Sequence, residues 1–277
     1  MNINEFYDKM TDFLLHMRTT KNLSDHTCRA YASDLNQFHT YWKEAAPEAD
    51  IKEVLNTFKN HLTKQKASTS TLARKLSCFN SYEHYLNDLG IKLNLGLVRP
   101  HVPTPIPQAL TAQEISFLLD QIPLSNLTTT FPHRDKAILE LLYATGIRCS
   151  ELINIRLCDI DMTAQSIVIP NKRKQTRMVF FGNQAKEQID LYMTHERSKP
   201  QNTQEYLFLN YRKQPLTSRS IQRICNMFGS LFPTPKVITP HILRHSFATH
   251  LLEQGAEPKT VQQLLGFTTT LSIEKYL

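Results

Sequence analysis

Apolar residues recur at three- and four-residue steps from the first residues to about position 90, the period of helices that bury one face. Ile3, Phe6, Met10, Phe13, Leu14 and Met17 predict a first helix. Ser24 is placed to cap a second, with Tyr31, Leu35, Phe38 and Trp42 as its apolar face. Ile51, Val54, Leu55, Phe58 and Leu62 predict a third; Leu72, Leu76, Phe79, Leu86 and Leu89 predict a fourth that ends at Gly90. Four amphipathic helices in succession give a small bundle.

The pattern then breaks. Pro100, Pro103, Pro105 and Pro107 exclude a helix or a central strand and predict a stiff, extended linker over 99–109, between a first domain (1–98) and a second (110–277). The second domain opens with Thr111 and Glu114 spaced as a capping box, leading into Ile115, Leu118, Leu119 and Ile122. Asp135–Tyr143 reads as a helix broken at Thr145-Gly146. Ile167–Ile169 and Met178–Phe181 read as two strands of a β-hairpin whose turn holds Lys172, Arg173, Lys174 and Arg177. Ser220–Phe228, Pro240–Leu252 and Lys259–Leu265 read as helices, and a short last segment carries Tyr276. The fold class is therefore mainly α, with a small β-hairpin or sheet in the second domain.

Composition narrows the function classes. With 32 Lys and Arg against 25 Asp and Glu, the formal charge of +7 suits a polyanionic partner without demanding one. Cys28, Cys78, Cys149, Cys158 and Cys225 form no C-x-x-C pair, which argues against a zinc ribbon or a disulfide framework and for reduced thiols. Polar residues interrupt the N-terminus where a signal peptide would be apolar, and no stretch is apolar for long enough to cross a bilayer. The expectation is a cytoplasmic protein. Lys64, Lys66, Ser68, Thr69, Arg74 and Lys75 gather around the start of the fourth helix; basic and hydroxyl side chains there suit phosphate contacts or an ordinary solvated turn equally.

Candidate chemistry lies near the C-terminus. Thr239-Pro240 starts a helix by supplying a cap and a pre-set first position. His241 and Arg244, three residues apart, project from one side of its first turn, where the helix dipole adds partial positive charge. An imidazole, a guanidinium and free N–H groups together suit a phosphate, although one His and one Arg on a helix are more often a solvated face. His241 and His245 have no intervening Glu of the H-E-x-x-H kind and no evident third ligand, so no metal or other cofactor is expected.

The run His241-Ile-Leu-Arg244-His245-Ser-Phe-Ala-Thr-His250-Leu-Leu, then Leu264-Leu265-Gly266-Phe267, then Tyr276, resembles the C-terminal signature of the tyrosine recombinases, the phage integrase and Xer type. Upstream, Thr145-Gly146-Ile147-Arg148-Cys149-Ser150-Glu151-Leu152 is similar to that family's first arginine box. The segment Ser24-Asp-His-Thr27-Cys-Arg29-Ala30-Tyr31-Ala-Ser-Asp34-Leu35 resembles the N-terminal core-binding domain of its Xer-like branch. The resemblance covers nearly the whole chain. It implies a four-helix, SAM-like core-binding domain and a mixed, mostly helical catalytic domain gripping duplex DNA at a specific site. It also implies a tetramer, of one chain or of two related recombinases, that exchanges strands with neither metal nor ATP.

The resemblance also implies roles. Tyr276 attacks the scissile phosphorus to give a 3′-phosphotyrosyl link, Arg148 and Arg244 hold the non-bridging oxygens, and His241 takes or shares the tyrosine proton. The family's catalytic lysine falls in the hairpin turn. Lys172 is the choice for general acid, with Lys174 and Arg173 as competitors because the turn lacks the family's flanking glycines. Arg173, Lys174 and Arg177 are also expected on DNA phosphates, and Glu151 either pairs with Arg148 on the helix surface or orients it.

Two departures stand out. Phe267 occupies the position where the family has His or, less often, Trp, and Phe donates no hydrogen bond. Losing one transition-state donor costs roughly 2.7–4 kcal/mol, so a slower or more partner-dependent enzyme is expected. The alternative is a catalytically inactive, sequence-specific DNA-binding relative; a type IB topoisomerase-like enzyme is a further rival. The second departure is Leu277 directly after Tyr276, where Xer-like relatives continue with a short helix that docks on the neighbouring protomer. That leaves open a sequence cut short there or protomers coupled in another way.

Overall fold

A computed structural model describes residues 1–97, 109–170, 176–200, 202 and 204–267. The chain divides into two compact units, Met1–Pro105 and Ile106–Leu277. The linker expected over 99–109 lies, except for its last residue, outside the described residues, as do Lys172, Arg173, Lys174 and Tyr276.

The first unit is built from α1 (Ile3–Thr19), α2 (Asp25–Ala45), α3 (Ile51–Lys64) and α4 (Thr69–Asp88). Each starts where a short polar side chain accepts a backbone N–H: Asn2, Ser24, Asp50 and Ser68. The expected apolar stripes close on one another. Phe6, Phe13, Phe38, Trp42, Phe58, Phe79 and Tyr82 fill the centre, many in edge-to-face pairs such as Phe38 with Phe79 at 5.0 Å. The fourth helix runs to Asp88 and is ended, as expected, by the left-handed turn at Gly90 (φ 81°). Leu89 is exposed, and Tyr82 takes the buried place, its hydroxyl donating to the Phe6 carbonyl.

The second unit centres on α6 (Pro132–Thr145), which is buried around most of its circumference and packs against α8 (Asn183–His195), α9 (Ser218–Ser230) and α10 (Pro240–Glu253). Thr111 and Glu114 form the expected capping box, but the helix they open is short. α5 covers Ala112–Ser116 and passes into one π-helical turn, Phe117–Gln121. Strands β1 (Ile160–Asp161), β2 (Ser166–Pro170) and β3 (Thr176–Phe180) form an antiparallel sheet in the order β1-β2-β3, one short strand more than the expected hairpin. In the β2–β3 register Ile167 faces Val179, and both side chains are buried. The helices α7 (Cys149–Leu152) and α11 (Pro258–Leu265) complete the unit. The Ser246 hydroxyl on α10 accepts the Leu110 N–H, which fixes the start of this unit to the helix that carries His241 and Arg244.

Candidate active site

Two helix ends place the arginines. Helix α6 stops at Gly146, whose left-handed backbone (φ 59°) caps the helix and turns the chain into α7. A side chain there would have to displace its neighbours: a Cβ would sit 2.4 Å from Phe247 and 2.8 Å from Leu265. Arg148 follows as the residue capping α7, and the Glu151 carboxylate reaches back to accept its backbone N–H (2.8 Å) and its Nη1 (3.0 Å). Helix α11 ends at Gly266, also left-handed (φ 65°), with the Phe267 N–H returning to the Gln262 carbonyl.

The last carbonyls of α11 then meet three guanidinium groups in succession. Arg177 Nε donates to Leu264 O (2.9 Å), Arg244 Nη2 to Leu265 O (2.7 Å) and Arg148 Nη2 to Gly266 O (3.3 Å). The negative end of the helix dipole and otherwise unpaired carbonyls favour cations at this position. Arg244 is 4% exposed, and its Nη1 donates to the Gly146 carbonyl (2.7 Å). The Phe267 ring lies against both arginines, with Arg244 Cζ 4.8 Å and Arg148 Cζ 5.7 Å from its centroid. Arg148, Arg244 and Phe267 are therefore brought together by the ends of α6 and α11.

Glu151 is the electrostatic hub. Burial pushes its carboxyl up, but hydrogen bonds from Arg177 and the Arg148 N–H, with both guanidinium charges, outweigh that effect. Its pKa lies below the usual glutamate value, so it remains an anion at neutral pH. Arg177 grips it from β3 with two parallel bonds, Nη1 to Oε1 (2.9 Å) and Nη2 to Oε2 (2.7 Å). This corrects the expectation that Arg177 contacts DNA phosphates: its side chain is 15% exposed, and its guanidinium is committed inside the protein. The contact joins residues 26 apart in sequence, so nothing local announced it.

His241 is exposed in the first turn of α10, capped by Thr239, whose hydroxyl accepts the Ile242 N–H (3.1 Å). His245, four residues on, is buried, so the two imidazoles do not form a pair open to one ligand. Among the described residues, no group of three His, Cys, Asp or Glu side chains could hold a metal ion.

In the first unit Lys64, Lys66, Ser68, Thr69 and Arg74 are exposed around the start of α4. Ser68 also serves as its cap, accepting the Thr71 N–H (3.2 Å). Lys75 differs from expectation. It is 6% exposed, and its ammonium donates to Asp34 Oδ1 (2.8 Å) and Gln37 Oε1 (2.5 Å), pinning α4 to α2 rather than facing a phosphate. Arg74 pairs with the other oxygen of the same buried carboxylate but keeps an exposed face.

Comparison with known proteins agrees over the whole chain. The phage integrase family model matches residues 108–277, and the model of the phage integrase N-terminal SAM-like domain matches 10–89. Tyrosine recombinase XerC of Thermodesulfovibrio yellowstonii is 35% identical, over 100% of this chain and 92% of that protein. Tyrosine recombinase XerC of Staphylococcus epidermidis is 33% identical, over 97% and 92%. The Tn1549 transposon integrase in complex with circular intermediate DNA shares the fold, with a TM-score of 0.75 at 16% identity over 100% of this chain and 94% of that one.

Proposed function

This chain belongs to the phage integrase family of tyrosine recombinases, and on that premise we propose that it is a site-specific recombinase that cuts and rejoins double-stranded DNA through a 3′-phosphotyrosyl intermediate. The observation that carries the reading is the convergence of Arg148 and Arg244 on one small region at the end of α11. Two fork-shaped cations held by carbonyls and a carboxylate suit the two non-bridging oxygens of one phosphodiester. Their anchors also keep them from reorganising as charge builds on the transition state.

In this reading the Tyr276 phenol oxygen attacks phosphorus, His241 takes its proton, and the P–O5′ bond breaks. Lys172 delivers a proton to the departing 5′ oxygen, with Lys174 and Arg173 as neighbouring donors. A phenolate is also a good leaving group, so a 5′ hydroxyl from a second duplex reverses the step without ATP. Phe267 packs on the arginines by its face but supplies no hydrogen bond to the phosphate, which makes the enzyme slower or more partner-dependent. Lys64, Lys66, Ser68, Thr69 and Arg74 would add phosphate contacts from the first unit, and four protomers would assemble on paired sites.

The test is covalent capture. The protein is mixed with nicked duplexes of randomised sequence and denatured, and protein-linked DNA is recovered and sequenced, with Tyr276→Phe in parallel. The expected result is an adduct at a recurrent sequence that Tyr276→Phe does not form. Specific binding without an adduct, even after Phe267→His, would replace this reading with a DNA-binding relative that has lost turnover. Relaxation of arbitrary supercoiled DNA with no preferred site would favour a topoisomerase-like activity.

A further inference from the structure

We propose that Arg177 is a positioning residue for strand cleavage, acting through Glu151 on Arg148; the inference rests on the recombinase reading above. The geometry is a closed chain of contacts. Arg177 leaves β3, gives both Nη groups to the two oxygens of Glu151, and gives its Nε to Leu264 O. Glu151 holds Arg148 through its backbone N–H and its Nη1, and Arg148 Nη2 returns to Gly266 O, two residues beyond the carbonyl that Arg177 holds. The β-sheet, the arginine box and the end of α11 are thus tied at one carboxylate.

Chemistry explains why a second arginine is needed there. A single carboxylate facing a single guanidinium would offset much of the charge that Arg148 presents to a phosphate. Arg177 shares that carboxylate, so the Glu151–Arg148–Arg177 group carries one net positive charge, and its exposed part belongs to Arg148. Arg148 is 40% exposed against 15% for Arg177, which sets the direction of action: one fork anchors, the other faces solvent. Close packing adds registration. A Cβ on Gly266 would lie 3.0–3.2 Å from Arg177 Nη1, Cζ and Cδ, so the guanidinium end of Arg177 packs against the turn that leads into Phe267. Lysine has no fork and cannot reproduce this arrangement.

The experiment uses the full chain and single-turnover adduct formation on nicked duplexes of randomised sequence. DNA affinity is measured on the same duplexes at several salt concentrations. Arg177→Met keeps most of the stem and removes the fork. It is expected to slow adduct formation about 10- to 100-fold, the usual cost of losing an orienting partner, with affinity and salt dependence unchanged. Combined with Glu151→Gln it is expected to be no slower than the slower single variant, because both act through Arg148. Arg177→Lys should recover only part of the rate, and it decides the matter if Arg177→Met does not fold. A wild-type rate in Arg177→Lys would overturn the proposal. So would independent, multiplying losses in the double variant. A third contrary outcome is an unchanged rate at saturating DNA with weaker binding and a salt slope smaller by about one, the mark of a phosphate contact. If no adduct forms even with Phe267→His, the recombinase reading falls and this inference with it; an adduct whose rate is unaltered by Arg177→Met overturns this inference alone.

Discussion

Arg244 and Arg148 are offered to the same small region by opposite means. Arg244 is buried, and its guanidinium donates to two backbone carbonyls, Gly146 O and Leu265 O. Arg148 is half exposed and held by a carboxylate that a second arginine shares. The buried cation depends on exact backbone turns; the exposed one depends on balanced side-chain charge. The first arrangement is therefore sensitive to sterics and the second to electrostatics, and substitutions should separate them.

The largest effect should come from breaking the buried side. Gly146→Ala places a Cβ in a left-handed turn and against Phe247 and Leu265, so it displaces the carbonyl that holds Arg244. A loss of about 2–5 kcal/mol is expected from the backbone and overpacking terms together, read as a lower denaturant midpoint. Glu151→Gln, across the site, keeps the shape of the side chain and removes the shared charge; it should bind DNA yet form adduct slowly.

Phe267→His sharpens the comparison next. The ring faces both arginines, and an imidazole there would add the missing phosphate donor. Adduct formation should accelerate by up to about a hundred- to thousand-fold, the size of one transition-state donor. No acceleration would mean that the ring's packing, not its lack of a donor, sets the rate.

The smallest effect concerns α6, which delivers Gly146. Glu140 on this helix is buried, and burial first, then the charge of Asp120, raises its pKa to about 7, against a weaker lowering by Lys136. The folded state thus binds an extra proton between its ordinary value of 4.5 and about 7, so stability falls as pH rises through that window. Glu140→Gln should remove the decline and be more stable than wild type above pH 7, by about 1–3 kcal/mol. The two proteins should converge at low pH in thermal melts.

The same contrast explains what sequence could reveal. Helix starts were legible because Ser24, Thr111 and Thr239 act within three residues of themselves, on Thr27, Glu114 and Ile242. Arg148, Arg244 and Phe267 were legible through motif spacing, and the geometry of α6 and α11 brings them together. In sequence, Arg177 and Lys75 lie among basic neighbours, which suits a phosphate contact or a solvated surface but announces no partner within the protein. Their real partners, Glu151 and Asp34, are 26 and 41 residues away and visible only after folding. Helix α8 escaped notice because only Ala185, Ile189 and Tyr192 are buried along it, too sparse a stripe to stand out. The two-residue strand β1 is too short to carry any period.

The most direct test of the two-arginine phosphate site is single-turnover adduct formation by Arg244→Lys and Arg148→Lys beside wild type, with DNA affinity measured in the same titration. Lysine keeps each charge and removes each fork. The account predicts that either substitution slows the adduct by about a hundred- to thousand-fold, while affinity, set by many phosphate contacts, changes far less. Adduct formation at the wild-type rate in either variant would show that the two guanidinium groups do not share the scissile phosphate.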